Sequence, residues 1–79
     1  MTVPKENNNI VAKRVRKARL ELELSQDALS GKLAARGVTL DRAGIAKIEN
    51  GGRYVSDFEV KALAAALNVS VGWLLSAEH

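Results

Sequence analysis

Seventy-nine residues, 47% of them apolar and few aromatic, make one small domain and argue against a disordered chain. Twelve Lys and Arg against nine Asp and Glu leave a net charge of +3, a mild basic balance that permits nucleic-acid binding without demanding it. There is no cysteine, which excludes a disulfide framework, a zinc finger and a thiol nucleophile, and no apolar run approaches a membrane span, so a cytoplasmic protein is expected.

Residues 1–9, MTVPKENNN, are polar, hold the one proline and show no periodicity. They read as a flexible N-terminal arm, either tracking a DNA backbone through Lys5 or simply a loose terminus. The folded domain is expected over residues 10–76, with a C-terminal tail at 77–79. Asn9 is the expected cap of a first helix running to Glu23. Val11, Val15, Ala18 and Leu22 share one face of it at helical spacing. Five of the twelve cations fall between Lys13 and Arg19, as a phosphate-facing stripe or as a solvated face. Arg19 lies at the edge of the apolar face, where a lone guanidinium is costly. Glu49 has the same difficulty on a later helix. Two opposite charges facing one core point to a partly buried ion pair.

Ser25 is a good N-cap for a second helix, and Asp27 sits in its first turn, where the helix dipole favours negative charge. Ala28, Leu29 and Leu33 form its expected inward stripe. Gly31 inside that helix costs about 1 kcal/mol relative to alanine, and close approach of another helix would explain it. Gln26 can hydrogen-bond a phosphate beside the free N–H groups of the helix end, or it is an exposed helix former. Gly37 ends the helix, and Val38 and Leu40 look like apolar plugs for a long turn.

Asp41 caps a third helix that closes at Asn50-Gly51. Ile45 and Ile48 point inward at 100° per residue, with Glu49 near the same face. Ala43, Ala46, Lys47 and Asn50 point outward, with Arg42 and Gly44 on the flanks. The outer face carries small residues and cations and no carboxylate beyond the cap. It suits a phosphate-lined groove, or it is an ordinary solvated face. Gly44 and Ala46 would allow close backbone approach. Two short helices joined by a turn, neither stable alone, follow the helix-turn-helix plan. Tyr54, in the loop that follows, either offers its hydroxyl or packs on the next helix.

Ser56-Asp-Phe-Glu59 fits the capping box and starts a fourth helix to Leu67, with Val60, Leu63 and Leu67 facing in. Asn68 is a plausible left-handed stop, and Ser70 caps a fifth helix from Val71 to about Ser76. Trp73, Leu74 and Leu75 crowd the end of the domain. They complete the core or, in part, form a twofold dimer patch.

Several of these stretches together resemble the phage-repressor-like helix-turn-helix family, of the Cro/cI or xenobiotic-response-element type. They are Leu24-Ser-Gln-Asp-Ala-Leu29, Ile45-Ala-Lys-Ile-Glu-Asn-Gly51, Val55-Ser-Asp-Phe-Glu-Val60, Ala65-Ala-Leu-Asn-Val-Ser-Val71 and Trp73-Leu-Leu75. The resemblance spans roughly Ile10 to Leu75. The connection Ala34 to Leu40 is longer than the common spacing and resembles a long-turn subset. The resemblance implies an all-α, lambda-repressor-like bundle of five short helices with the motif at helices 2 and 3. It implies that Arg42, Ala43 and Lys47 read base edges. It also implies that Gln26, Asn50, the Gly51 and Gly52 amides and Arg53 lie against phosphates, and that Arg19 pairs with Glu49. The expected function is a sequence-specific DNA-binding transcriptional regulator, a bacterial or phage-encoded repressor acting as a homodimer on a pseudo-palindromic operator. The alternative is a protein-interaction module, such as an antitoxin or adaptor, with a protein partner. An enzyme fits least: the one histidine, His79, is terminal, and no catalytic constellation, metal site or cofactor is implied.

Overall fold

The computed structural model of the protein describes residues 5–75, with side chains from residue 10 onward. The first four residues, the Lys5 side chain and the tail at 77–79 lie outside this range. Five helices follow one another: α1 (Lys5–Glu21), α2 (Gln26–Ala34), α3 (Arg42–Glu49), α4 (Asp57–Leu67) and α5 (Val71–Leu75). None of them is long and apolar enough to cross a membrane.

The first helix starts at Lys5, four residues before the expected cap, so Asn9 lies within it. Its apolar face is Val11, Val15 and Ala18, all buried, and the stripe stops there. Leu22 is 44% exposed. The reason is local: the helix ends at Glu21, and Glu23 turns the chain with φ 57. The Glu23 N–H donates to the Leu20 carbonyl and the Leu24 N–H to the Arg19 carbonyl, the Schellman pattern of a left-handed stop. Leu24 then packs on the core in place of Leu22.

The start of α2 is as its sequence demands: Ser25 Oγ accepts from the Ala28 N–H at 3.0 Å. Leu29 and Leu33 are fully buried, whereas Ala28 is exposed, since α2 turns only a narrow stripe inward. Gly31 is exposed as well, and a Cβ there would meet nothing within 4 Å. No neighbouring helix explains this glycine. The helix closes in a second left-handed stop at Gly37 (φ 81), with Gly37 N–H donating to Ala34 and Val38 N–H to Leu33.

The long turn is held at several points. Val38 and Leu40 are buried plugs, and Ser30 Oγ donates to the Leu40 carbonyl at 2.6 Å. Asp41 Oδ1 then accepts from the Gly44 N–H at 2.8 Å and starts α3. The α4 capping box forms in full, Ser56 and Glu59 each accepting the other's backbone N–H. Asn68 ends α4 with φ 59. Ser70 Oγ accepts from the Trp73 N–H and opens α5.

One core joins all five helices. Its fully buried members are Val11, Val15, Leu29, Leu33, Ile45, Ile48, Val55, Leu63, Leu67 and Leu74. Burying a Leu or Ile contributes about 1.5–3 kcal/mol, so these side chains hold together helices too short to persist alone. Helix α1 packs on α3, α4 and α5, and α2 packs on both α3 and α4. This arrangement clamps the inner face of α3 against α1 and α2 and leaves its other face open.

Candidate nucleic-acid interface

The open face of α3 follows from its inner one. Ile45 and Ile48 are buried to within 1% of full cover, which turns the opposite side of the cylinder to solvent. Arg42, Ala43, Lys47 and Asn50 are exposed there, and Ala46 is half-buried. The only other acid on α3, Glu49, has a side chain 4% exposed, so the exposed face is cationic. Gly44 plays a different part from that expected. A Cβ on it would lie 3.1 Å from Leu40 Cδ2 and 3.3 Å from Asp41 Oδ1. Its small size relieves the turn and the cap, inside the protein, where a Cβ would press on both side chains.

Behind this face, Arg19 of α1 and Glu49 meet as the burial argument requires. Arg19 Nε donates to Glu49 Oε2 at 2.6 Å and Nη2 donates to Oε1 at 2.9 Å, a bidentate pair. The Arg19 side chain is only 10% exposed. The hydrogen bond to Glu49 holds the guanidinium still further above its ordinary pKa; burial opposes this and the Glu49 charge adds to it. Arg19 Nη1 donates to the Leu24 carbonyl at 2.8 Å, just before α2. Gln26 Nε2 donates to Glu49 Oε1 at 3.2 Å. Three helices therefore meet at one carboxylate. The Gln26 link has no signal in the sequence, because residues 26 and 49 sit on different helices and neither forms a motif with the other.

The loop after α3 opens on two glycines. Gly51 has φ 72, and its N–H donates to the Ile48 carbonyl at 3.0 Å. The Gly52 N–H donates to the Lys47 carbonyl at 2.8 Å. Both amides close the end of α3 in a Schellman motif. The same Asn50-Gly51 pair had two readings in the sequence, helix stop and phosphate donor, and one N–H serves the first. Asn50, as the C-cap, remains exposed.

Arg53 is partly enclosed: Nη2 pairs with Glu59 Oε2 at 3.2 Å, and Nη1 is buried with no hydrogen-bond partner among the described residues. Glu59 thus serves both the α4 capping box and Arg53. The capping box was readable in the sequence and the second partner was not. Val55, buried beneath this loop, is a core residue the helical periodicity misses because it precedes α4. Tyr54 is 54% exposed and Phe58 59%.

On the remaining surface, Lys13, Arg16 and Lys17 of α1 are exposed. Arg14 stacks over the Trp73 ring, 4.6 Å from its centroid, joining α1 to α5. Trp73 and Leu75 are partly buried against the core. Leu74 is fully buried, which corrects its place in the candidate dimer patch: on a five-residue helix it is the one side chain turned wholly inward.

Comparison with known proteins agrees with this architecture. A helix-turn-helix family model matches residues 15–74, most of the chain. No curated protein matches it. Among solved structures, it is similar to the restriction-modification controller protein C.AhdI from Aeromonas hydrophila, with a TM-score of 0.76 and 28% identity, over 89% of this chain and 94% of that one. It is also similar in fold to the hypothetical transcription factor NHTF from Neisseria, with a TM-score of 0.78 and 22% identity, over 96% of this chain and 83% of that one. With the exposed cationic helix set on two packed helices, and the family model spanning both halves of the motif, the chain belongs to the Cro/cI-type helix-turn-helix family of DNA-binding transcriptional regulators.

Proposed function

We propose that this regulator is a repressor that binds a pseudo-palindromic operator as a homodimer, with α3 of each protomer in the major groove. The observation that carries this reading is the α3 face itself. Arg42, Ala43 and Lys47 stand exposed on one side of a rigidly seated helix, and the acid next to them is buried and paired. Arg42 and Lys47 donate to guanine O6 and N7, and the Ala43 methyl meets a thymine methyl; a good bidentate contact discriminates by roughly 1–3 kcal/mol. Gln26 at the start of α2, Asn50 at the end of α3 and Arg53 in the loop lie against phosphates and set the register of α3. Trp73 and Leu75, with the exposed Val71, supply the dimer contact. Two recognition helices then face half-sites roughly 34 Å apart.

Selection of bound sequences from a random duplex pool at moderate salt tests this directly. An inverted repeat with half-sites one helical turn apart is the expected result. The likeness to C.AhdI makes the upstream regions of restriction-modification genes the first natural duplexes to try. Arg42→Ala and Lys47→Ala are each expected to abolish selectivity while leaving the melting temperature unchanged. A large fall in melting temperature would show those side chains to be structural. Recovery of no preferred sequence, together with a co-purifying protein, would favour an interaction module instead.

A further inference from the structure

Glu49 lies behind the exposed face of α3, yet its carboxylate reaches the first residue of α2. Oε1 accepts from both Arg19 Nη2 and Gln26 Nε2, at 2.9 and 3.2 Å. A carboxylate paired with a guanidinium can only accept hydrogen bonds, so the side of the Gln26 amide that faces it must be the NH2. The orientation of that amide is therefore set by chemistry. One N–H is committed to Glu49. The other, in the same plane and about 120° away from it, is directed off the carboxylate, and Gln26 is only partly buried. The arrangement also solves an electrostatic difficulty. An unpaired carboxylate beside a phosphate strand would repel it, but Glu49 is 4% exposed and neutralised by a bidentate Arg19.

We propose that Glu49 is a positioning residue for the phosphate contact made by Gln26. The Arg19–Glu49 pair holds the glutamine amide with its second N–H ready for a phosphate oxygen before DNA arrives. The contact is then made without first ordering a long side chain, a cost that free glutamines carry. Arg19 also holds the Leu24 carbonyl, so the same cluster fixes the backbone entering α2. The start of α2 and the end of α3 are tied at one point, and the phosphate contact and the base-reading helix keep one register. This proposal rests on the DNA-binding reading above.

The test uses the selected operator, with single methylphosphonate substitutions scanned along each strand. In the wild type, neutralising the phosphate held by Gln26 should weaken binding several-fold. Gln26→Ala should lose sensitivity at that phosphate alone. Glu49→Gln should lose it at the same phosphate while keeping the pattern elsewhere, and the double variant should lose no more than either single one. A merely structural Glu49 would lower the melting temperature and leave the folded protein sensitive at every phosphate, which would overturn the proposal. Because Glu49→Gln can unfold the domain, the free wild-type protein supplies a second measurement. Gln26 is the only glutamine in the chain, so its side-chain amide resonances are identified by type. One of its two protons should be shifted downfield and exchange slowly with solvent; both protons at their free-glutamine positions and exchanging freely would overturn the proposal. If the wild type binds no duplex, the DNA-binding reading falls and the proposal with it. Binding with unaltered phosphate sensitivity in Glu49→Gln removes the proposal alone.

Discussion

Glu23 adopts φ 57 at the end of α1, a conformation in which a side chain crowds the backbone and glycine is at ease. Its cost of about 1–2 kcal/mol should be recovered by Glu23→Gly, less the loss of unfolded-state order that glycine brings. The net expectation is a stabilisation of about 1 kcal/mol. Two glycines test the same principle with opposite signs. Gly31 is helical, exposed and surrounded by open space, so Gly31→Ala should stabilise by about 1 kcal/mol. Gly51 has φ 72 and closes α3, so Gly51→Ala should destabilise by about 1–2 kcal/mol. For a domain of this size, 1 kcal/mol moves the melting temperature by about 4–8 °C, well within the resolution of thermal circular dichroism. Equal shifts for the two alanines would show that local backbone conformation does not govern either site.

The elements themselves were largely written in the sequence, because short-range chemistry makes them. Ser25, Asp41, Ser56 and Ser70 each act as N-caps, and Asn68 is the left-handed stop, from nothing more than residue type and spacing. The misreadings come from where elements end and what they touch. Leu22 kept the helical period but falls between the end of α1 and a left-handed stop made by a glutamate, a residue that seldom takes that conformation. The Arg19–Glu49 pair was legible because two charges on apolar faces must find partners; the Gln26 and Leu24 bonds that extend it were not, since a half-exposed glutamine carries no such requirement. The pair ties α1, the entry to α2 and α3 together, so its loss is felt by three elements at once. Glu49→Ala leaves a buried guanidinium uncompensated and should cost about 3–5 kcal/mol in chemical denaturation. Unchanged stability would mean that water reaches Arg19 freely. The Arg19 charge itself is secure. Its folded pKa lies above the ordinary arginine value, so its contribution is fully present below that value and disappears only as pH rises through the folded one.

At the scale of the whole molecule, a net charge of +3 says little, and the distribution of that charge says more. The proposed contact surface of each protomer holds three cations, Arg42, Lys47 and Arg53, while Glu49 of α3 is neutralised from behind. Arg53 differs from the other two because it already pairs with Glu59. Each phosphate neutralised by a cation contributes about −0.9 to the slope of log affinity against log salt. Counting Arg42 and Lys47 in the groove as neutralising one phosphate charge each, a dimer using only these two would show a slope of about −3.6, and one in which Arg53 also turns to the DNA about −5.4. A single protomer would give about −2 to −3. Fluorescence anisotropy with a labelled operator between 50 and 200 mM salt, on the order of the usual working range, separates these cases. The expected value is about −5.4, since Arg53 is placed against a phosphate and its contact with Glu59 is a single bond at 3.2 Å. Arg53→Ala should then reduce the slope by about two units, and an unchanged slope in that variant would show that the guanidinium stays with Glu59 and makes no phosphate contact.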